Sequence, residues 1–207
     1  MTAHDVPTLL RFLTLASDLK RVRRQGWVDR GVVEPESVAD HSWGVALFAW
    51  SLASGRDDLD RDRVLLLGLV HDLPEAIAGD TTPFDGERDD AGQIAAEHFE
   101  RPPEYSDDLD RQKQAAELAA LDEMLAGLPA RLAGEIRAAW WEYERAETAE
   151  ARFVKQVDKL ETVVQSERYR RDDAHLVMSS FRHGAFRDIQ DAQLRLILET
   201  LVDAPPD

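Results

Sequence analysis

The sequence predicts an all-α fold, and three observations predict it. Apolar residues recur at helical spacing along most of the 207 residues. No stretch alternates apolar and polar residues as a half-buried strand would. Ser, Gly and Pro stand where helices start and stop. No internal repeat, low-complexity tract or coiled-coil heptad interrupts the pattern, and no long Gly/Ser/Pro linker divides it. One globular domain over residues 1–207 is therefore expected, with a frayed tail at 203–207.

Leu9, Leu10, Phe12, Leu13, Leu15 and Ala16 mark a first helix that ends before Gly26, and residues 31–35 read as a loop. Ser37 is an N-cap, with Asp40 three residues on as an approximate capping box, and Gly55 stops the helix that follows. Residues 61–70 form a helix that is almost continuously apolar from Val64, hence central and buried. Pro74 disfavours helical geometry at Leu73, so this helix ends or bends there. Residues 80–90 are rich in Thr, Pro, Gly and Asp and read as a loop. Helices are expected at 91–100, 112–126, 130–146, 150–170 and 189–201, with an acidic loop at 104–110.

Composition narrows the function. A net charge of −16 opposes binding to a nucleic-acid polymer, which calls for a basic surface. A small phosphate substrate is not excluded, because local charge decides that, and Lys20-Arg21-Val22-Arg23-Arg24 is locally basic. Most of that run is explained as a solvated helix end. Cys is absent, so neither disulfides nor thiolate metal sites can form. The start, Met1-Thr2-Ala3-His4-Asp5, is polar, and the longest mostly apolar run, Trp43 to Ala53, is shorter than the ~20 residues a bilayer span needs. A soluble cytoplasmic protein without membrane partners is the expectation.

The chemistry lies in polar residues placed where a core calls for Leu and Val. His41 heads a helical stripe continued by Val45, Phe48 and Leu52, and His71 ends one formed by Val64 and Leu67. Asp72 follows His71, and Asp158 lies beside the stripe of Phe153, Val157, Leu160 and Val164. Each has an ordinary structural explanation alone: a hydrogen-bonded core histidine, an N-cap, a salt bridge to Lys155 or Lys159. Adjacent residues on a straight helix point about 100° apart, so His71 and Asp72 share a ligand only if the helix breaks. Together the four offer two imidazoles and two carboxylates, a set suited to Mn²⁺, Co²⁺, Fe²⁺ or Zn²⁺ and less naturally to Mg²⁺. Four protein ligands leave positions open, as catalytic metals require. Glu75 stands four residues after His71 and shares its face in any helix that continues.

Three segments extend the pattern: Pro35-Glu36-Ser37-Val38-Ala39-Asp40-His41-Ser42, Val70-His71-Asp72-Leu73-Pro74-Glu75-Ala76-Ile77-Ala78-Gly79-Asp80 and Phe153-Val154-Lys155-Gln156-Val157-Asp158-Lys159. From about residue 9 to 169 the chain resembles the HD-domain metal-dependent phosphohydrolases. Within them it is similar to the branch holding the bacterial 5′-deoxynucleotidases and the human HD-domain-containing protein 2 group. The resemblance implies an all-α, often dimeric hydrolase that releases nucleoside and phosphate from nucleoside 5′-monophosphates through a metal-activated water. It implies His41, His71, Asp72 and Asp158 as ligands of one divalent ion, and Glu75 and Asp80 as catalytic carboxylates. Glu75 would position or deprotonate the water, and Asp80 would orient that network or protonate the leaving oxygen. Trp27 matches a family tryptophan tied to sugar selection. The bacterial enzymes carry a phosphate-holding Arg before that Trp, whereas this chain has Gly26. Arg24 or Arg30 is the substitute to consider. Two rival readings use the same residues: hydrolysis of a cyclic dinucleotide, guanosine tetraphosphate or nucleoside triphosphate, and a non-catalytic metal-binding interaction protein. His4, His98, His175 and His183 are read as surface or structural residues.

Overall fold

Ten α-helices carry the described residues, 5–102 and 106–203, of this computed structural model. They are α1 (Val6–Asp18), α2 (Gln25–Val28), α3 (Val38–Leu52), α4 (Arg61–Val70), α5 (Glu75–Ala78), α6 (Asp107–Leu125), α7 (Ala130–Arg145), α8 (Ala149–Asp172), α9 (Ser179–Asp188) and α10 (Ala192–Asp203). Two 3₁₀ turns, Asp85–Glu87 and Ala96–Glu100, lie between α5 and α6. No strand occurs among the described residues; a single bridge joins Arg23 to Ser37.

The helix starts follow from their caps. Ser37 and Asp40 make the full capping box, each side chain accepting from the other's backbone N–H. Asp60 caps α4 by accepting from Asp62 and Arg63, and Thr148 caps α8 by accepting from Ala151. After Val70 the chain leaves α4 through tight turns, Leu73 N–H to Val70 O at 3.1 Å and Glu75 N–H to Asp72 O at 3.0 Å, before α5 begins. This is the break that Pro74 foretold.

Two buried clusters form the interior. Val45 and Ala49 of α3, Val64 and Leu67 of α4 and Val154, Val157 and Leu160 of α8 anchor the first. Val38, Leu73, Leu121, Met124, Ile136 and Trp140 anchor the second, with α1 laid over it. Each Leu or Val fully withdrawn from water contributes about 1.5–3 kcal/mol. His41 stands between Val38 of one cluster and Val45 of the other, and His71 between Val70 and Leu73. Both histidines thus lie where the chain passes between clusters. α3 and α4 approach so closely at Gly68 that a Cβ there would sit 2.7 Å from the Ala46 Cα.

Several boundaries differ from expectation. Only Ala96–Glu100 of the segment 91–100 turns helically, and as 3₁₀, because Phe99 is its one buried residue. Residues 107–110 open α6 instead of lying in an acidic loop: Ser106 caps the helix and three aspartates favour its N-terminal dipole. The last helix starts at Ala192 rather than at 189, whereas α1 ends at Asp18, before Gly26 as expected. Asp203 closes α10 rather than belonging to a frayed tail; residues 204–207, His4, Glu104 and Tyr105 lie outside the described residues. α9 was not anticipated at all. It is held by Arg30, which donates to Ser180 Oγ at 2.7 Å, Val177 O at 3.1 Å and Gly26 O at 2.7 Å, and stacks over Phe99 and Phe181.

Two stability outcomes follow. Gly68→Ala should force α3 and α4 apart and lower stability in urea unfolding by about 1–3 kcal/mol, the usual cost of overpacking. Arg30→Met should preserve volume yet cost about 1–3 kcal/mol for each buried acceptor left unpaired, read as a lowered urea midpoint.

Candidate metal centre and active site

α3, the end of α4 and α8 each deliver polar side chains to one point. His41 Nε2 lies 3.3 Å from Asp158 Oδ1 and 3.7 Å from Asp72 Oδ2, and His71 Nε2 lies 3.2 Å from the same Asp72 oxygen. Donors about 2.1 Å from one small ion stand about 3.0–3.4 Å from each other, so these separations suit a shared cation. Donor atoms of His41, His71 and Asp72 all fall within 4.8 Å of one another, and Asp158 joins through His41. The helix break after Val70 is what lets His71 and Asp72 face the same point despite adjacency.

The chemistry of the donors fits a divalent metal. Each histidine has its Nδ1 engaged, His41 with Glu161 Oε2 at 2.7 Å and His71 with Gly68 O at 2.9 Å. Each Nε2 is buried without a properly directed hydrogen bond, as is Glu75 Oε2. Buried polar atoms normally have partners; His71 and Glu75 line one cavity, and His41 Nε2 lies against Asp72 and Asp158, which line it too. Burial and Arg24 press the His41 imidazole towards neutrality, but the Asp158 and Glu161 carboxylates outweigh them and raise it to about 10. Burial opposes ionisation of Asp72 and Asp158 as well, yet His71 and Arg24 beside Asp72, and His41 beside Asp158, hold both carboxyls well below the usual range. Tyr143 donates to Asp158 Oδ2 at 3.0 Å and fixes its rotamer.

Glu75 and Asp80 occupy different environments. Glu75 is 1% exposed; burial, reinforced by Asp72 and Asp80, pushes its carboxyl well up despite Lys113, whose Nζ lies 3.4 Å away. Asp80 Oδ2 accepts the Gln25 N–H at 2.7 Å and faces Arg24 at 3.7 Å. Arg24 also donates to Asp72 at 3.4 Å, so its guanidinium joins two site carboxylates. Burial disfavours its charge, but Asp80 and Asp72 keep it firmly protonated.

These groups line a cavity of about 640 Å³ that runs from His71, Asp72 and Asp158 to Gly26, Phe84 and Phe181. Lys113, Lys155, Lys159 and Arg187 join Arg24 on its walls, so the site is locally basic in places within an acidic chain. Trp27 reaches the cavity, yet it is 2% exposed, donates to Glu36 Oε1 at 2.9 Å and packs on Tyr169 and Phe181. Arg30 also borders the cavity, but its donors are committed to Gly26, Val177 and Ser180, which removes it as a substitute for the missing phosphate cation. Glu36, His41 and Glu161 form a second group of converging donors; there Glu36 already accepts from Trp27, and Glu161 faces His41 Nδ1.

Sequence reasoning missed Glu161, Lys113, Glu117 and Tyr143. Glu161 had one available signal: it is one helical turn beyond Asp158, on a face that already carries a site residue. Lys113 reaches Glu75 from α6 and pairs with Glu117 one turn along the same helix, where nothing in the local sequence marks them. His98 pairs loosely with Glu87, and His183 faces Glu100 O, both away from the site.

Known proteins agree with this architecture. The sequence matches the HD domain family over residues 16–196. It is 39% identical to the human 5′-deoxynucleotidase HDDC2 over 168 residues, covering 81% of this chain and 71% of that protein. It is 30% identical to the 5′-deoxynucleotidase hdd1 of Schizosaccharomyces pombe, over 83% of this chain and 77% of that one. Among solved structures, a conserved hypothetical protein from Pyrococcus furiosus superposes with a TM-score of 0.69 at 30% identity, covering 94% of this chain and 99% of that one. A predicted metal-dependent phosphohydrolase from Magnetospirillum magnetotacticum does so with a TM-score of 0.69 at 25% identity, over 97% and 94% of the two chains. By the extent of the sequence match and the all-helical architecture together, the chain belongs to the HD domain family.

Proposed function

We propose that this protein is a metal-dependent phosphomonoesterase that hydrolyses nucleoside or deoxynucleoside 5′-monophosphates to nucleoside and phosphate. The observation that carries this reading is that His71 and Glu75, whose Nε2 and Oε2 are buried and without directed partners, line one cavity with basic walls, while the equally unpartnered His41 Nε2 lies behind it, 3.3 Å from the lining Asp158. The activity for which the relatives are named, 5′-deoxynucleotidase, supports the substrate class.

His41, His71, Asp72 and Asp158 would hold one divalent ion, with Mn²⁺, Co²⁺, Fe²⁺ and Zn²⁺ better matched to two imidazoles and two carboxylates than Mg²⁺. Bound there, the ion supplies Lewis acidity to a phosphoryl oxygen and lowers the proton affinity of water. Glu75, whose environment raises its proton affinity, takes the proton of the attacking water. Asp80, fixed by the Gln25 N–H and Arg24, orients that network or relays a proton to the leaving 5′-oxygen as its bond to phosphorus breaks, so that the proton taken from water is balanced by the one given to the nucleoside. Arg24 supplies positive charge for the phosphate in place of an arginine at position 26. Trp27 closes the sugar end of the cavity through its packing, with its indole N–H committed to Glu36. No covalent enzyme intermediate is required.

The assembly belongs to the same reading. Trp43, Leu47 and Trp50 form an exposed apolar stripe on α3, with Trp43 65% exposed. In a family that often forms dimers this stripe suits a second copy of the chain. No described helix is long and apolar enough to cross a membrane, and a cytoplasmic nucleotide pool fits the substrate class.

Three outcomes test these statements. Protein stripped with chelator and reloaded with Mn²⁺ or Co²⁺ should release phosphate from a nucleoside monophosphate panel, and Asp72→Ala should lose both metal and turnover; an active Asp72→Ala protein would sink the site assignment. Glu75→Gln should keep the metal while kcat falls by about 10²–10⁴-fold, the usual contribution of general acid–base catalysis. Trp43→Glu should shift the sedimentation coefficient from dimer to monomer.

A further inference from the structure

The residues around His41 repeat one spacing on two helices. On α8, Asp158 and Glu161 are one turn apart and address the two ring nitrogens of His41: Asp158 Oδ1 lies 3.3 Å from Nε2, and Glu161 Oε2 lies 2.7 Å from Nδ1. On α3, His41 and Gly44 are likewise one turn apart. A Cβ at Gly44 would sit 2.6 Å from Glu161 Oε1 and 3.1 Å from its Cδ and Cγ. Gly44 lies in regular helix, so its backbone does not require glycine. What requires it is the carboxylate lying against it.

We infer that Glu161 is a positioning residue for the metal centre, seated by Gly44. Glu161 accepts the Nδ1–H of His41, which fixes the tautomer and ring orientation that leave Nε2 free for a metal ion. The inference rests on the proposed metal site and extends it to two residues outside the ligand set. Glu161 is 6% exposed, and its second oxygen occupies the space that a side chain at position 44 would fill. His71 meets the same need without a side chain, through the Gly68 carbonyl at 2.9 Å. Outer partners of metal-bound histidines typically change affinity by about 10–100-fold when removed.

The test is a Mn²⁺ titration followed by the electron paramagnetic resonance signal of free Mn²⁺, on the full chain. Glu161→Ala should weaken Mn²⁺ binding by about 10–100-fold, while Glu161→Gln, which keeps an acceptor oxygen, should recover most of it. Gly44→Ala should weaken binding in the wild-type background, because the new methyl displaces the flexible end of Glu161. In the Glu161→Ala background it should add nothing, since no carboxylate remains to be displaced. A purely structural role predicts additive losses from the two substitutions. In the zinc-loaded protein, long-range proton–nitrogen correlation should show His41 protonated at Nδ1, and Glu161→Ala should broaden or shift that signal.

Wild-type Mn²⁺ affinity in Glu161→Ala, or equal added loss from Gly44→Ala in both backgrounds, would overturn the inference. His41→Ala separates the two levels of argument. If His41→Ala still binds Mn²⁺ as wild type, the metal site itself is misplaced. If it does not, and Glu161→Ala does, only the positioning role fails.

Discussion

The burial of His41 is the constraint around which this fold is arranged. An imidazole that is 1% exposed needs an answer for each ring nitrogen, since a buried polar atom left unpaired costs about 1–3 kcal/mol. Asp158 and Glu161 of α8 face the two nitrogens, so α3 and α8 hold one register. Val45 and Ala49, further along α3, then join Val154, Val157 and Leu160 in the same cluster. α4 completes the layer by approaching α3 at Gly68, the residue whose carbonyl also holds His71. Packing and chemistry thus share the same atoms.

The carboxylates of the site show how environment separates chemically similar groups. Asp72 and Asp158 lie beside histidines and Arg24 or Lys159, and they are held ionised although burial opposes it. Glu75 is equally buried but faces Asp72 and Asp80, and its affinity for a proton rises. Pairs of acids driven apart in this way are suited to different roles in one reaction. The overall charge of −16 conceals this, because the basic groups that matter are concentrated on the cavity wall.

Legibility along the chain followed the density of local signals. α4 was readable because Val64–Val70 is nearly all apolar; its Asp60 cap appears only in the structure. α3 announced itself through Ser37 and Asp40. α9 did not, because Ser179–Asp188 interleaves Arg182, His183 and Arg187 with its few apolar residues, and its stability comes from Arg30 and from Arg182 pairing with Glu167. The segment 91–100 failed in the opposite sense: it carries helix-forming residues but offers only Phe99 to bury.

The candidate ligands were legible in the sequence because they sit in short segments where a helix break, a cap and an apolar stripe constrain one another locally, whereas the candidate catalytic roles of Glu75 and Asp80 were implied by the resemblance those segments carry. The sequence by itself therefore determined the helical class and the candidate ligands, and its motifs carried the resemblance that implies the reaction class. The tertiary structure decided what surrounds them. It committed Arg30 to α9, turned the Trp27 N–H to Glu36, brought Lys113 from α6 to Glu75, and laid Glu161 against Gly44. Those pairings join residues up to 150 positions apart. Their geometry depends on how whole helices cross, a property that no local spacing of residues encodes.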